Sequence, residues 1–381
     1  MKVYLDNAAT TAMDDRVIEA MLPYMRNHYG NPSSVHSHGR EVRTAIERAR
    51  KKVAELLNAS PSEICFTSGG TEADNMALLG SIEARGITHA ITSPLEHHAV
   101  LHTLEICEQK GHIKLSILNV NEKGDLDLEQ LEDLLRNNPN SLVSLMQANN
   151  EIGNINDIEK IGTLAKEYGA FFHSDTVQTM GHYTHDLSTL PIDALVAGGH
   201  KFHGPKGSGF LYLNKEKKIP PFIHGGAQER NMRGGTENVI GIVGIAKALE
   251  IAYEDMADHQ KHIESLKTRF IEELKDGIPG VEFNGNSADL NKSLYTVLSV
   301  SLPPSETNRG MLLFNLDLEG ISASGGSACS SGATVGSHVL RALHHSPERD
   351  AVRFSFSRFN TMDDVLYTTE KLKSLYAVEE V

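Results

Sequence analysis

The chain has 381 residues, 40% of them hydrophobic and 23% charged, which is typical of a globular protein with two domains. Its formal net charge of −14 argues against nucleic-acid binding, and no apolar run reaches the roughly 18 residues that a membrane span needs. The first residues, MKVYLDNAATT, contain no signal-peptide core, and three cysteines make no disulfide framework, so we expect a reducing, cytoplasmic setting.

Short apolar runs rich in β-forming residues alternate with helical patterns in the first two thirds of the chain. The runs are EICFT (63–67), HAITS (89–93), KLSILNV (114–120), SLVSLMQ (141–147), AFFHSD (170–175), DALVAG (193–198) and GFLYL (209–213). Helical candidates such as 72–85 and 157–169 lie between them. This alternation predicts a mostly parallel, seven-stranded sheet covered on both faces, with ligands at the carboxyl ends of its strands.

Beyond about residue 237 the pattern changes to that of a smaller α+β domain. It contains a long helical stretch, two strand candidates and a further helix, at 238–276, 294–302, 351–357 and 306–320. We therefore expect a large α/β domain over residues 13–255 and a small domain made of residues 1–12 and 256–381.

The segment that follows the first strand of the large domain is SGGTEADN (68–75). Gly69 and Gly70 allow a ligand to approach backbone N–H groups, and Thr71 adds a hydroxyl at a helix start. Exposed N–H groups and the helix dipole form a phosphate cradle. A helix N-cap preceded by a glycine turn explains the same residues, so both interpretations stay open.

An acid and a lysine follow two later strands. Asp175 ends a very apolar strand, where a carboxylate needs a cationic or N–H partner, although a satisfied capping Asp is an alternative. The next strand delivers Gly198, Gly199, His200 and Lys201. A phosphate cradle, an acid for a ring nitrogen and a lysine for an aldehyde are together typical of pyridoxal-phosphate binding.

Lys206 is the second lysine of this region, and we interpret it as structural. It lies between glycines in the turn that leads to GFLYL. A P-loop is excluded because Pro205 lacks an N–H group where that motif needs glycine, and no helix follows.

Two further strand ends add polar side chains to the predicted site. His97 follows HAITS, where an imidazole can lie over an aromatic cofactor or move protons, and Asn150 follows SLVSLMQ. His98 and His102 have the i,i+4 spacing of metal ligands on a helix, which leaves a zinc hydrolase as an alternative without an obvious third ligand.

The three cysteines differ in context. Cys65 lies in a strand and Cys107 on a helix, so both are expected to be small buried side chains. Cys329 lies in the Gly-, Ser- and Ala-rich segment 321–338, which we expect to be mobile because it has little to pack. A thiol on such a segment is suited to reach into a site and carry something out, although an incidental cysteine in a loop is the alternative.

The assembled motifs resemble those of the NifS/IscS-type cysteine desulfurases, a pyridoxal-phosphate family, over essentially the full length. They are YLDNAATT (4–11), YGNPSSVHSHG (29–39), FTSGGTEADN (66–75), EHHAV (96–100), NNEIG (149–153), HSDTVQ (173–178), GHKFHGPKG (199–207), MRGGTEN (232–238), GSACSSG (326–332) and VRFSFSRFNT (352–361). The resemblance implies the aspartate-aminotransferase fold (fold type I) and a homodimer.

The resemblance also implies roles for individual residues. Lys201 would bond the cofactor aldehyde as a Schiff base, Asp175 would pair with the ring nitrogen, Gln178 with the ring hydroxyl, and His97 would stack on the ring. The phosphate would be held by Gly70, Thr71 and His200, with Thr236 from the other subunit. Asn150 and Arg353 would bind the substrate carboxylate, and Cys329 would take the sulfur as a thiolate.

The implied reaction converts L-cysteine and an acceptor thiol into L-alanine and a persulfide, for iron–sulfur assembly or tRNA thiolation. The expected partner is an iron–sulfur scaffold or another sulfur acceptor; no metal site is expected beyond a transient contact of Cys329 with a cluster. Gly198 departs from the pattern, because many relatives have a phosphate-binding Ser there. The alternatives are a selenocysteine lyase or an aminotransferase of the same fold, and a non-catalytic sulfur carrier.

Overall fold

The computed structural model describes residues 1–305, 308, 310–325 and 336–376. The helices of this part are α1 Asp15–Arg26, α2 Ser37–Leu56, α3 Gly70–Arg85, α4 His98–Gln109, α5 Leu128–Asn137, α6 Ile158–Glu167, α7 Val239–Glu254, α8 Met256–Gly277, α9 Leu312–Leu318, α10 His338–Ala342 and α11 Met362–Leu375. Within the described ranges no helix is both long and apolar enough to span a membrane.

The strands are short, and most of them lie in one large sheet. They are β1 Val3–Tyr4, β2 Ile64–Thr67, β3 His89–Thr92, β4 Lys114–Ile117, β5 Ser141–Ser144, β6 Phe171–Asp175, β7 Ala194–Gly198, β8 Gly209–Leu213, β9 Glu282–Phe283, β10 Val297–Ser301, β11 Ile321–Ser322 and β12 Ala351–Ser355. The large sheet has the order β2-β8-β7-β6-β5-β3-β4. All its neighbours are parallel except β8, which is antiparallel to β2 and β7. The predicted mostly parallel, seven-stranded sheet is therefore confirmed.

Helices cover both faces of this sheet, which explains why its central strands are buried along their whole length. Phe172 of β6 and Leu195 of β7 pack in one cluster with α1, α2 and α7. Their neighbours Phe171 and Val196 pack in a second cluster with α3 and α4. Consecutive residues of one strand point to opposite faces, so each strand contributes to both clusters.

The remaining elements form two smaller sheets. β12, β10 and β9 are antiparallel, and β1 pairs in parallel with β11. Val3 and Leu5 share an apolar cluster with Phe270 of α8 and Phe354 of β12. The first residues thus pack with elements near the other end of the chain, while the domain boundaries at residues 12 and 255 stay a prediction.

Two helical predictions differ from the structure in their bounds. The stretch 238–276 forms two helices, α7 and α8, which meet at Asp255 because the apolar α7 sequence there gives way to an amphipathic pattern. The stretch 306–320 contains only α9 in its described part. Gly310 (φ 71°) and Gly320 (φ 77°) adopt left-handed conformations on either side of α9, which a continuous helix cannot contain.

Candidate active site

A cavity of about 270 Å³ lies at the carboxyl ends of the large sheet's strands. It brings together most of the predicted site residues: Gly70, Thr71, His97, Asn150, Asp175, Gln178, His200, Lys201 and Arg353. These residues are spread over almost three hundred positions of the chain. Parallel strands place their carboxyl ends at the same edge, so the turns that follow them meet there.

The N-terminus of helix α3 forms one wall of the cavity. Gly69, the N-cap, supplies no side-chain hydrogen bond to the helix, so the first N–H groups are left for another acceptor. A Cβ atom on Gly70 would lie 2.7 Å from Cγ2 of Val177, which is closer than side chains tolerate. Thr71 lines the cavity one residue further on. An uncapped 16-residue helix opening into a cavity fits the phosphate of pyridoxal phosphate.

Asp175 is the last residue of β6, and its carboxyl group lines the cavity while the residue is 7% exposed. Its Oδ1 accepts a hydrogen bond of 2.9 Å from the Val177 amide. Burial raises the pKa of Asp175, and the charges of His97 and Lys201 oppose that rise. A buried carboxylate is best stabilised by a cation, and a protonated ring nitrogen is such a partner.

His97 is the N-cap of α4, and its Nδ1 accepts a hydrogen bond of 3.1 Å from the Ala99 amide. This bond leaves the proton of a neutral ring on Nε2. Burial lowers the pKa of His97, with Asp175 acting against it and Lys201 in the same direction. His97 therefore presents a neutral imidazole to the cavity near neutral pH.

Lys201 follows β7 after a short 3₁₀ turn, and its Nζ donates to the carbonyl oxygens of Ala8 (2.6 Å) and Ala9 (2.9 Å). Gln178 donates to the same Ala8 oxygen at 3.1 Å. The neighbouring His200 has its pKa lowered to about 4 by burial and then by Lys201. Lys206, in contrast, is exposed and does not line the cavity.

Arg353 lies on β12 and is 2% exposed. Its Nη2 donates to Asp6 Oδ1 at 2.9 Å, and its Nη1 donates to the carbonyl oxygen of Asn150 at 2.8 Å. Its Nε is buried without a hydrogen-bond partner among the described residues. The guanidinium is thus fixed from two sides and retains N–H donors for a carboxylate in the cavity.

Two predicted site residues of the described part of the chain, Gly198 and Thr236, do not line this cavity. Gly198, at the end of β7, lies just behind the α3 N-terminus, where a Cβ atom would stand 3.7 Å from the Gly70 nitrogen. Thr236 lines a separate cavity of about 200 Å³ with Ser68, so its role in a partner's site stays a prediction. Cys329 lies outside the described residues.

The structure adds residues that sequence reasoning missed, namely Ala8, Ala9, Asp74, Met146, Ala148 and Val177. Burial, with the nearby Asp175 and Glu96, raises the pKa of Asp74 well above its ordinary value. Its Oδ1 lies 3.3 Å from Nε2 of His173, a ring whose pKa burial lowers to about 3. Its position in the motif SGGTEADN (68–75) was the available signal for Asp74. Ala8 and Ala9 have no such signal in the sequence, because they act through their backbone carbonyl oxygens.

The histidine pair considered for zinc is a ring stack. The His98 ring centroid lies 4.5 Å from that of His102 and 4.5 Å from that of His338. Burial and then the two neighbouring imidazoles lower the pKa of His98 to about 4. Across the described ranges, no three His, Cys, Asp or Glu side chains are arranged to hold a metal ion.

Residues 3–367 match the family model of aminotransferase class-V. A protein named cysteine desulfurase IscS from Dictyoglomus turgidum is 43% identical over 98% of this chain and 94% of its own length. Among solved structures, one titled NifS-like protein superposes with a TM-score of 0.90 at 40% identity, covering 98% of this chain and 99% of its own. Another, titled SspA in complex with cysteine, has a TM-score of 0.81 at 30% identity, covering 94% and 100%.

Proposed function

Since the chain belongs to the aminotransferase class-V family, we propose that it is a pyridoxal-phosphate-dependent cysteine desulfurase. The reaction takes L-cysteine and an acceptor thiol to L-alanine and a persulfide. One observation carries this assignment: a single cavity joins the amine of Lys201, the carboxylate of Asp175, the imidazole of His97 and the guanidinium of Arg353. The relative named for this activity and the neighbouring structure with cysteine support the substrate.

Pyridoxal phosphate, when bound, supplies an electron sink for the bonds of the substrate α-carbon. Gly70, Thr71 and His200 would hold its phosphate at the N-terminus of α3. Asp175 would keep the ring nitrogen protonated, because an ionised carboxylate without that proton is costly at this buried position. Gln178, which already donates to the Ala8 carbonyl oxygen, would reach the ring hydroxyl.

Two residues would handle protons. Lys201 would hold the cofactor aldehyde, and its amine, when not bonded to the cofactor, would take the α-proton of the substrate. The carbonyl oxygens of Ala8 and Ala9 hold that amine at the cavity wall. His97 would lie against the ring as a neutral imidazole, its Nε2 proton being available for transfer.

Substrate orientation would depend on Arg353 and Asn150. The planar guanidinium meets a carboxylate with two parallel hydrogen bonds, which fixes the rotation of the amino acid as well as its position. The Asn150 carbonyl already accepts from Arg353, so the two residues form one rigid unit. This unit holds the α-carbon against the proton-accepting amine.

Sulfur transfer would use Cys329 as the nucleophile, in its thiolate form. The bond between Cβ and sulfur of L-cysteine breaks and a sulfur–sulfur bond to Cys329 forms. Of the two thiol protons, one stays on the persulfide and the other ends on Cβ of L-alanine, so no external oxidant or reductant is needed. The persulfide would then pass to an iron–sulfur scaffold or another acceptor protein in the cytoplasm.

A homodimer would complete the site, with Thr236 of one subunit reaching the cofactor phosphate of the other. Thr236 lines a separate cavity in its own chain, which leaves it available for that role.

The test compares two lysine variants of the same loop. Lys201→Ala should lose the visible absorbance of the bound cofactor, while Lys206→Ala, changed at an exposed position, should keep it. Cys329→Ser should bind cofactor and L-cysteine but release no sulfide under reducing conditions. An unchanged spectrum of Lys201→Ala would refute the assignment of the lysine, and normal turnover of Cys329→Ser would indicate a lyase that needs no thiol.

A further inference from the structure

The acidic side chain of the N-terminal YLDN motif, Asp6, is bound directly to the predicted carboxylate-binding arginine. Asp6 Oδ1 accepts from Nη2 of Arg353 at 2.9 Å. Arg353 is 2% exposed, whereas the Asp6 side chain is 21% exposed. The guanidinium therefore faces the cavity as half of an ion pair, not as an isolated positive charge.

The backbone of the same turn also holds the catalytic lysine. The carbonyl oxygen of Asp6 accepts from the Ala9 amide at 3.0 Å, which closes the turn. The Ala8 and Ala9 carbonyl oxygens of this turn accept from Nζ of Lys201. Four consecutive residues thus fix both the arginine that receives the substrate and the amine that takes its proton. A movement of Asp6 would be transmitted to both.

The hydrogen-bond capacity of Arg353 shows what remains for a ligand. A guanidinium has five N–H donors, and two of them are used by Asp6 and by the Asn150 carbonyl. The Nε–H group, which lacks a partner among the described residues, is one of the remaining donors. One carboxylate can be satisfied there, but the positive charge that would attract a second anionic group is already neutralised by Asp6.

Two further carboxyl groups, Asp175 and Asp74, line the cavity. Burial favours the protonated form of Asp74, so Asp6 and Asp175 are the carboxylates that offset the cationic side chains Lys201 and Arg353 at this site. A second negative charge on a ligand therefore lies near Asp6 and Asp175 with no net positive charge to offset it, while a ligand with one carboxylate and a neutral side chain avoids this repulsion.

We propose that Asp6 is a specificity-determining residue that positions Arg353 and makes the site selective for amino acids with one carboxylate. This inference rests on the proposed function, because it assumes that Arg353 receives the substrate carboxylate. It deepens that function by naming the substrate class: zwitterionic amino acids with uncharged side chains, such as L-cysteine.

The test uses L-asparagine and L-aspartate, which have nearly the same shape and differ by one charge. Their dissociation constants are measured calorimetrically on the holoenzyme. The wild-type protein should bind L-asparagine more tightly than L-aspartate. Asp6→Asn keeps an oxygen acceptor for Arg353 but removes the charge, so the preference for L-asparagine should fall about fivefold, which is the order of one unit-charge interaction in a partly hydrated site.

Asp14→Asn is the matched control. It removes the same charge from the same N-terminal region and from a comparable ion pair, but Asp14 pairs with Arg358 and not with Arg353. Its preference should stay at the wild-type value. Asp6→Glu retains the charge and should keep the preference even if both affinities drop, which separates charge from shape. The ratio of two affinities is insensitive to the fraction of protein that is folded.

The outcomes distinguish the two proposals. Wild-type protein that carries the cofactor and converts L-cysteine, together with an unchanged ratio in Asp6→Asn, would overturn the role of Asp6 alone. A ratio that falls equally in Asp14→Asn would also overturn it, because the effect would then be one of overall charge. Wild-type protein without cofactor absorbance or cysteine turnover would overturn the proposed function instead.

Discussion

The buried ion pair between Arg50 of α2 and Glu229 should be one of the main stabilising contacts at the edge of the large sheet. Arg50 donates to both carboxylate oxygens, at 2.7 and 2.9 Å, and each side chain is 3% exposed. Glu229 also accepts from the Phe66 amide at 2.9 Å. Burial opposes the charge of Arg50, yet the hydrogen bonds and charge of Glu229 raise its pKa above the ordinary value.

Replacing Glu229 by Gln should lower the free energy of unfolding by about 3 kcal/mol, the cost of leaving a buried charge without its partner. Glu47 contacts the same guanidinium but is half exposed, so it compensates little. Three consecutive left-handed residues, Glu229, Arg230 and Asn231 (φ 43°, 56° and 65°), add to the effect. Such residues cost roughly 1–2 kcal/mol each, and this pair holds the first of them in place.

The measurement is urea unfolding of the cofactor-free protein followed by far-ultraviolet circular dichroism, because the chain has no tryptophan. Arg50→Met alone should be similarly destabilised, since it leaves the carboxylate of Glu229 buried. The double variant, Arg50→Met with Glu229→Gln, should recover about 2 kcal/mol relative to the sum of the single variants. A coupling below about 0.5 kcal/mol would refute the reasoning, because it would mean that the two charges are solvated independently.

Three further predictions concern the cofactor site and the small sheet. Gly198→Ser should tighten cofactor binding about tenfold by adding one charge-assisted hydrogen bond, because its Cβ would meet only ordinary contacts of 3.6–3.7 Å. Gly70→Ala should weaken cofactor binding, because its Cβ would lie 2.7 Å from Val177. Titrating the cofactor-free protein with pyridoxal phosphate and following the absorbance measures both changes in affinity. Asp175→Asn should retain the cofactor but lose most turnover, with a spectrum showing an unprotonated ring; normal activity would contradict the pairing. Burial lowers the pKa of Lys267 from 10.5 to about 7. Between these pH values the unfolded chain binds one more proton than the folded chain, so the free energy of unfolding should rise with pH. This rise should be smaller in Lys267→Met, and an equal rise in both proteins would contradict the prediction.

The fold could be predicted largely from the apolar runs, because strands covered on both faces are rich in apolar side chains. The run GFLYL corresponds to β8, and AFFHSD differs from β6 by one residue. KLSILNV was predicted three residues too long, because β4 lies at the sheet edge, where its residues are exposed or half-buried and pairing ends early. The antiparallel direction of β8 was not predicted, since strand direction depends on the connection and not on the run itself.

The site was predicted where side chains carry the chemistry and missed where the backbone does. Lys201, Asp175 and His97 each follow a strand directly, so the rule about strand ends located them. The carbonyl oxygens of Ala8 and Ala9 have no signature in the sequence, although YLDNAATT was recognised as a motif. Asp6 and Asp74 are acidic residues that stand out in the sequence. Their partners, Arg353 and His173, lie 347 and about 100 residues away, so only the tertiary structure reveals the pairs.

The contact between Asp6 and Arg353 constrains the order in which parts of the chain fold during synthesis. Asn7 and Ala8, adjacent to Asp6, bond to Ser355, so these contacts of the N-terminal turn form only after some 350 more residues have left the ribosome. Pairings of such high contact order form late. The large sheet can assemble during synthesis, but the substrate-binding half of the site closes only after residues 353–355 have been translated.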